Sequence, residues 1–281
     1  MVLPDAFGLL ATSRETANFA KHIRQHTLNM VARAKASHLG GALSMADLLA
    51  VLFGRILSVN PQDPHWGDRD CFILSKGHSC SALYATLALR GFFPIDELLT
   101  YGQNGSRMLA HVSHLVPGIE FSTGSLGHGL PFGCGKALAA KRLGHQWQVF
   151  VLLSDGELDE GSNWESILFA PQHRLDNLVV IVDYNKIQSL GSVKDVLDLH
   201  PLAKKFEAFQ WSVKEIDGHD HEQIHNALDS LPWEDGKPRC LIAHTIKGKG
   251  VDFMENDLKW HYSSPNDAEL ISALQQLEQQ S

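Results

Sequence analysis

The stretch VFVLLSDGELDEG, residues 149–161, decides the fold. Its first five residues are apolar, Asp155 and Gly156 follow as turn residues, and residues 160–170 have helical character. A short apolar run that ends in a turn and leads into a helix is typical of a buried strand in a parallel sheet. The stretch therefore predicts a strand, a loop and a helix, with polar residues at the carboxyl end of the strand.

The same alternation of apolar runs and helices extends over most of the chain. Strands are predicted at 71–74, 149–153, 178–182, 213–216 and 241–245, and helices at 11–36, 44–57, 81–89, 133–143, 163–169, 222–231 and 267–280. Thr12 with Glu15 is a capping box for the first helix, and Ser44 is the expected cap of the second. Such alternation predicts a doubly wound α/β fold, a mainly parallel sheet with helices on both faces. Because no repeat or linker interrupts it, residues 1–281 are expected to form a single domain, with an N-terminal helical segment at 1–36 and a C-terminal helix at 267–280.

Composition narrows the class of function. The formal net charge is −8, so the chain has no surplus positive charge to attract a nucleic-acid backbone. Its apolar runs are about five residues long, whereas a membrane-spanning helix needs roughly 20. The start of the chain lacks the basic and apolar regions of a secretory signal. We therefore expect a cytoplasmic protein with small-molecule partners that binds neither nucleic acid nor a membrane.

The cysteines predict buried free thiols, whereas the histidines indicate a chemical role. The cysteines have no CxxC pair and no metal-ligand spacing, which predicts buried free thiols in a reducing compartment. They are Cys71, Cys80, Cys134 and Cys240. The 16 histidines are more than a typical surface holds, and several stand in Gly-rich segments, among them His38, His78 and His128. Because histidine transfers protons near neutral pH, this enrichment indicates proton chemistry.

The loops that follow strands are the informative ones, since ligands of such sheets bind beyond the carboxyl ends of the strands. These loops span residues 75–78, 154–161 and 183–191. Asp155 and Asn185 end neighbouring predicted strands, which lie about 4.8 Å apart in a sheet. Their oxygens can therefore share one hard divalent cation, and Gly156 lets a phosphate approach the backbone.

These residues resemble the thiamine-diphosphate binding motif, a GDG followed by an Asn at the end of the next strand, with Ser154 in the first Gly position. The resemblance implies that Asp155, Asn185 and the backbone carbonyl of Ile187 ligate Mg²⁺, with Ca²⁺ or Mn²⁺ as substitutes. The metal would bridge the diphosphate of thiamine diphosphate. The fold expected is then the diphosphate-binding (PP-type) domain of thiamine-diphosphate enzymes.

Further motifs narrow the resemblance to the transketolase family, from about Arg24 to His261. They are KASHLGG (35–41), RDCFILSKGH (69–78), GSRMLAH (105–111), PGIEFSTGSLGHG (117–129), SDGELDEG (154–161), DYNKIQ (183–188), TIKGKGVDFMEN (245–256) and KWH (259–261). Two positions depart from the family pattern: His128 stands where Gln is frequent, and Tyr262 stands where Gly is common. The entrance to the site is therefore expected to differ in shape.

The resemblance also implies roles for individual residues. It assigns catalysis at the sugar to His38, His111 and His261. It assigns cofactor binding to His78, Gly124, Ser125, Leu126, Asp155, Gly156, Glu157, Asn185, Ile187 and His261. Glu160 and Glu165 match acidic positions at a subunit contact. Lys247 and Lys249 are open to two interpretations, an exposed basic turn or a role in holding the site loop.

The function implied is that of the N-terminal subunit of a split transketolase. It would transfer a two-carbon ketol unit from a ketose, expected to be a ketose phosphate, to an aldose. The partner expected is a C-terminal, pyrimidine-binding subunit that supplies a catalytic Glu, in an α2β2 assembly. The alternatives are the α subunit of a 2-oxo-acid dehydrogenase E1 component and a non-catalytic cofactor-binding subunit. The identity of the sugar stays open.

Overall fold

A parallel sheet of five strands forms the centre of the fold in a computed structural model that describes residues 10–279. The strands are β1 (Cys71–Leu74), β2 (Val149–Ser154), β3 (Leu178–Tyr184), β4 (Ser212–Asp217) and β5 (Arg239–His244). Their order across the sheet is β1-β2-β3-β5-β4, and every neighbouring pair is parallel. All five carboxyl ends therefore lie at one edge of the sheet, as the sequence predicted.

Helices cover both faces of the sheet. They are α1 (Ser13–Ala34), α2 (Leu39–Ser44), α3 (Ala46–Val51), α4 (Cys80–Leu89), α5 (Gly129–Leu143), α6 (Gly161–Gln172), α7 (Val193–Val196), α8 (Leu202–Ala208), α9 (His221–Asp229), α10 (Lys259–Tyr262) and α11 (Asp267–Gln279). Strand β2 shows how its residues divide between the faces, because successive side chains of a strand point to opposite sides. Phe150 packs into the core formed by α1, α3, α4 and α9, while Val149 and Val151 pack into the core formed by α5, α6 and α8.

The predicted fold class is confirmed, with corrections at the helix ends. The Thr12–Glu15 capping box is present, and α1 runs from Ser13 to Ala34. The predicted helix over 163–169 starts at Gly161 and that over 133–143 starts at Gly129. Residues 1–9 of the predicted N-terminal segment and residue 280 of the predicted C-terminal helix lie outside the described residues.

The prediction that Ser44 caps the second helix is wrong. The chain is already helical from Leu39, and the Ser44 hydroxyl donates to Asp183 (2.5 Å) and lies 3.0 Å from the Gly41 carbonyl. Gly40, in the first turn of this helix, is required for close packing. A Cβ on Gly40 would lie 2.9 Å from Cγ of Lys247, which is closer than real Cβ contacts.

All four cysteines are buried and free, as predicted. Cys80 belongs to the core on one face of the sheet, whereas Cys71, Cys134 and Cys240 belong to the core on the other. Burial raises the pKa of Cys71 to about 11 and that of Cys80 and of Cys134 to about 12. Among residues 10–279, no helix combines the length and the apolar character needed to cross a membrane.

Candidate active site

Four histidine rings gather at the carboxyl edge of the sheet. His38 lies between α1 and α2, His78 follows β1, His111 lies in the loop after α4, and His261 lies in α10. The His38 ring centroid is 4.9 Å from that of His78, 5.0 Å from that of His261 and 6.0 Å from that of His111. The enrichment in histidine noted in the sequence therefore includes a real cluster, built from segments far apart in the chain.

A backbone hydrogen bond joins His38 to His261, and a lysine contact orients the His261 ring. His38 has a left-handed backbone (φ 68°), and its N–H donates to the His261 carbonyl at 2.9 Å. Lys247 Nζ lies 3.1 Å from His261 Nδ1. An ammonium only donates, so Nδ1 accepts, and the neutral ring carries its proton on Nε2.

His38, His78 and His261 are held neutral. Burial, then the neighbouring His111 and Lys247, lowers the pKa of His38 to about 4. Burial, then Lys247 and His38, lowers the pKa of His261 to about 3. For His78, burial and the Lys76 charge hold the pKa well below its usual value. At neutral pH each neutral ring can accept a proton or donate one hydrogen bond.

Asp155, Asn185 and Ile187 line the same cavity as the histidines and form one corner of it. The Asp155 carboxylate accepts the backbone N–H of Lys186 (2.6 Å) and of Gly156 (2.7 Å). The Ile187 carbonyl accepts Lys247 Nζ at 2.8 Å. Burial, then the Asp183 charge, raises the pKa of Asp155 to about 6.

This donor set fits Mg²⁺ bound together with a diphosphate. One carboxylate, one amide oxygen and one backbone carbonyl are hard oxygen ligands, and Mg²⁺ sites usually take the rest from phosphate and water. Within residues 10–279 there is no group of three or more His, Cys, Asp or Glu side chains arranged to hold a metal. The corner therefore suits a metal that arrives with a phosphate ligand better than a metal held by protein alone.

Beneath this corner lies a buried ion pair that the sequence reasoning missed. Lys76, fully buried in the loop after β1, donates to Asp183 in β3 and to the Gly41 carbonyl (2.7 Å). Asp183 also accepts the Ser44 and Thr245 hydroxyls. Burial opposes its charge, but Lys76 and these donors lower the pKa of Asp183 below its usual value. The signal was present: Asp183 is a charged residue in the otherwise apolar strand LVVIVDY.

Asp183 also orients the corner above it. The Asn185 amide nitrogen lies 3.4 Å from Asp183 Oδ2, and Asn185 Oδ1 accepts the Ile187 N–H at 3.2 Å. An Asn whose nitrogen is engaged by a carboxylate presents its oxygen elsewhere. Carboxylates that fix a ligand from behind are common at metal sites.

Most of the residues singled out in the sequence line one cavity of about 430 Å³. They are His38, His78, His111, Gly124, Leu126, Asp155, Gly156, Asn185, Ile187 and His261. Ser125 is exposed and is not among the residues that line it. Glu157 is fully buried behind the cavity wall.

Glu157 joins three loops. Its carboxylate accepts the Ser75 hydroxyl (2.5 Å) and the backbone N–H groups of Gly127 (2.9 Å) and Ser154 (3.4 Å). In return, the Ser154 hydroxyl accepts the Glu157 N–H at 3.2 Å, which explains how this turn accommodates Ser in place of Gly. A direct contact of Glu157 or Ser125 with the cofactor stays a prediction.

Tyr262 and His128 differ in their relation to the site. The Tyr262 ring packs 4.9 Å from that of His261, and its hydroxyl donates to the Ser189 carbonyl at 2.6 Å, next to the mouth of the cavity. His128 is exposed, lies outside the cavity lining, and has Nδ1 3.1 Å from the Leu126 carbonyl.

The two lysines of the KGKG segment lie in different environments. Lys247 is buried and lines the cavity, whereas Lys249 lies outside the lining with Nζ 3.6 Å from Glu255. Only Lys247 is thus placed to hold the site.

Comparison with known proteins identifies the family of the chain. A family model described as "Transketolase, thiamine diphosphate binding domain" matches residues 15–279. The chain is 43% identical over 260 residues to an apulose-4-phosphate transketolase subunit of Actinobacillus succinogenes, covering 92% of this chain and 94% of that protein. It is 38% identical over 262 residues to the 6-deoxy-6-sulfo-D-fructose transketolase subunit SqwG of a Clostridium species, covering 93% and 95%.

The fold matches as well. The crystal structure of transketolase from Campylobacter jejuni superimposes with a TM-score of 0.90 and 31% identity, over 95% of this chain and 43% of that one. The chain thus spans less than half of that transketolase but nearly the whole of the two subunits. These matches favour the transketolase interpretation over the 2-oxo-acid dehydrogenase one. The chain belongs to the transketolase thiamine-diphosphate-binding domain family.

Proposed function

We propose that this chain is the N-terminal subunit of a split transketolase that depends on thiamine diphosphate and Mg²⁺. It transfers a two-carbon ketol unit from a ketose to an aldose and is active only with a C-terminal subunit. The observation that carries the proposal is one cavity with a histidine cluster and, beside it, the oxygens of Asp155, Asn185 and Ile187. The first suits proton transfer at sugar hydroxyls, and the second suits a metal–diphosphate.

In this proposal the chain holds the cofactor by its diphosphate end. Asp155, Asn185 and the Ile187 carbonyl bind the metal, with Ca²⁺ or Mn²⁺ as substitutes. His78, His261 and the Gly156 backbone approach the diphosphate, and residues 124–126 contact the cofactor's rings. Thiamine diphosphate supplies an electron sink for the carbanion formed when a ketose C2–C3 bond breaks.

The histidines supply proton transfer and orientation. His38 and His261 are neutral at pH 7 because their pKa values lie near 4 and 3. A neutral ring can accept the proton of the C3 hydroxyl as the bond breaks and return it to the acceptor's oxygen, so no net proton is consumed. His111 is exposed at the edge of the cluster. In this proposal it contacts the first carbons of the donor sugar.

A partner subunit is part of the proposal. Leu190, which lines the cavity, is 79% exposed, so the chain alone leaves this side of the site open. On α6, Glu165 is exposed beside Leu168, which is 62% exposed. Both relatives described above are named as subunits. We propose that a pyrimidine-binding subunit closes the cavity and supplies the Glu that activates the cofactor, in a cytoplasmic α2β2 assembly.

The substrate class proposed is a ketose or ketose phosphate as donor and an aldose as acceptor. The names of the relatives include a sugar phosphate and a sulfo-sugar. Both carry an anionic group, so phosphorylated and sulfonated ketoses are the donors to test first.

The test assays ketol transfer by the chain alone, by the product of a neighbouring gene that encodes a pyrimidine-binding domain, and by their mixture. Each assay contains thiamine diphosphate and Mg²⁺. We expect turnover only in the mixture, and its loss when the mixture contains Asp155→Ala. Turnover by the isolated chain would overturn the split-enzyme proposal. Cofactor binding by the mixture without turnover on any ketose would support the non-catalytic alternative.

A further inference from the structure

A second buried polar network lies behind the cavity, centred on Asp47 in α3. Arg24 of α1 donates to both carboxylate oxygens, at 3.0 and 2.6 Å. His219 Nδ1 lies 2.6 Å and His221 Nε2 3.1 Å from the same carboxylate. Neither histidine lines the candidate active site. The network joins α1, α3, the loop after β4 and the start of α9.

The ring of His219 continues this network to the backbone of another loop. Its Nε2 accepts the N–H of Ile246 at 2.8 Å. Since a backbone N–H only donates, Nε2 carries no proton, and the neutral ring must carry its proton on Nδ1, which donates to Asp47. Carboxylate, imidazole and backbone thus form one chain with a fixed direction of donation.

Ile246 immediately precedes Lys247, the buried lysine of the cavity. Lys247 Nζ lies 2.8 Å from the Ile187 carbonyl and 3.1 Å from His261 Nδ1. The stem of Lys247 packs against Gly40, where a Cβ would come within 2.9 Å of its Cγ. There is little room for the lysine to adjust, so a displacement of Ile246 moves the ammonium.

We infer that His219 is a positioning residue that holds the Lys247 ammonium at the diphosphate and metal corner. It does not line the cavity, and it acts by fixing the backbone at Ile246 through its Nε2. The inference rests on the proposed function, because the ligand that Lys247 meets there is a metal-bound diphosphate. It adds a residue on the far side of the loop to those that set cofactor affinity.

His221 provides a matched control. The side chains of His219 and His221 are similarly buried, at 12% and 10% exposure, and both bind Asp47. The second nitrogen of His221, however, lies 2.8 Å from the Thr16 hydroxyl on α1 and not at the loop. A purely structural network predicts similar consequences when either ring is replaced. A positioning role predicts a difference.

Two amide substitutions separate the two hydrogen bonds of His219, one to Asp47 and one to Ile246. His219→Asn keeps a donor near the Nδ1 position, toward Asp47, but loses the acceptor for Ile246. His219→Gln places an acceptor near the Nε2 position but loses the bond to Asp47. His221→Asn is the control. All three keep a polar side chain, and urea unfolding checks that each variant folds.

Thiamine-diphosphate affinity is then measured by calorimetry with Mg²⁺ and the partner subunit present. We expect His219→Asn to weaken binding about 10- to 100-fold, in the range typical of groups that orient a ligand from behind. His219→Gln and His221→Asn should stay within about threefold of the unmodified chain, a difference of only some 0.6 kcal/mol. In a Lys247→Met background the effect of His219→Asn should disappear.

Equal weakening by the two His219 variants, by His219→Asn and His221→Asn, or with and without Lys247 would overturn the inference. If the unmodified complex binds no thiamine diphosphate, the proposed function itself fails. The two failures are therefore distinguishable.

Discussion

Replacing Asp183 by Asn should destabilise the chain strongly, because the Lys76 ammonium would lose its counter-charge. The Lys76 and Asp183 side chains are 1% and 0% exposed. Removing one partner of such a pair typically costs about 3–5 kcal/mol. At about 2–4 °C per kcal/mol for a large domain, the melting temperature should fall by roughly 6–20 °C.

The reverse substitution, Lys76→Met, should cost less. Asp183 would keep the Ser44 and Thr245 hydroxyls as donors, whereas Lys76 without Asp183 keeps only the Gly41 carbonyl and a neutral amide. The loss of one hydrogen bond to a charged group is worth about 1.5–3 kcal/mol. The double variant should cost less than the sum of the two single changes, since neither charge is then left alone.

Urea unfolding, followed by tryptophan fluorescence at pH 7, measures the three free energies of unfolding. Because the folded pKa of Asp183 is lowered below 3.8, its contribution is complete above that pH and is lost as the pH falls through the folded pKa. A cost below about 1 kcal/mol for Asp183→Asn, or a larger cost for Lys76→Met, would refute the reasoning; the scale is that of a typical single hydrogen bond.

Three further predictions concern the cavity itself. His261→Ala should lower kcat of the complex by about 10²–10⁴ without loss of fold, and near-normal turnover would assign His261 a structural role. Asp155 is 1% exposed and accepts two backbone N–H groups, so Asp155→Ala should remove Mg²⁺-dependent cofactor binding and also destabilise the chain, by about 1–3 kcal/mol. Asp155→Asn, which keeps one acceptor oxygen, should lose the binding but less stability. Unchanged affinity in calorimetry would exclude the metal assignment. The pKa values of His38, His78 and His261 are lowered from 6.5, so unfolding should become easier as the pH falls below about 6.5, because only the unfolded chain then binds protons. Asp155, with its pKa raised, acts in the opposite direction, and a urea midpoint equal at pH 7.5 and pH 5.5 would contradict dominance by the histidines.

Residues with a local signature could be predicted from the sequence. Five apolar runs bounded by turns gave the five strands, and Asp155 and Asn185 were placed at adjacent strand ends by the alternation alone. The parallel order then brings their loops to one edge without further information. That the strands pair β3 with β5 is a long-range fact that no local pattern contained.

The features that were missed depend on contacts between distant segments. Ser44 was predicted as a cap from its residue type and position, and only the approach of Lys247 shows why glycine is needed at position 40. Lys76 and Asp183 lie in two of the quoted motifs, but nothing local to either motif shows that their side chains pair. Lys247 and Lys249 could not be told apart by sequence. Only the folded loop shows that Lys247 faces the cavity and that Lys249 lies near Glu255.

The cysteines lie on both faces of the sheet, so their reactivity can show which face unfolds first. A thiol reacts as the thiolate, so buried groups with raised pKa values resist alkylating reagents until the surrounding core loosens. Cys80 reports on the face that carries α4, while Cys71, Cys134 and Cys240 report on the opposite face. The order in which mass spectrometry finds these cysteines alkylated therefore shows which face of the sheet loses its helix packing first. No engineered probe is needed.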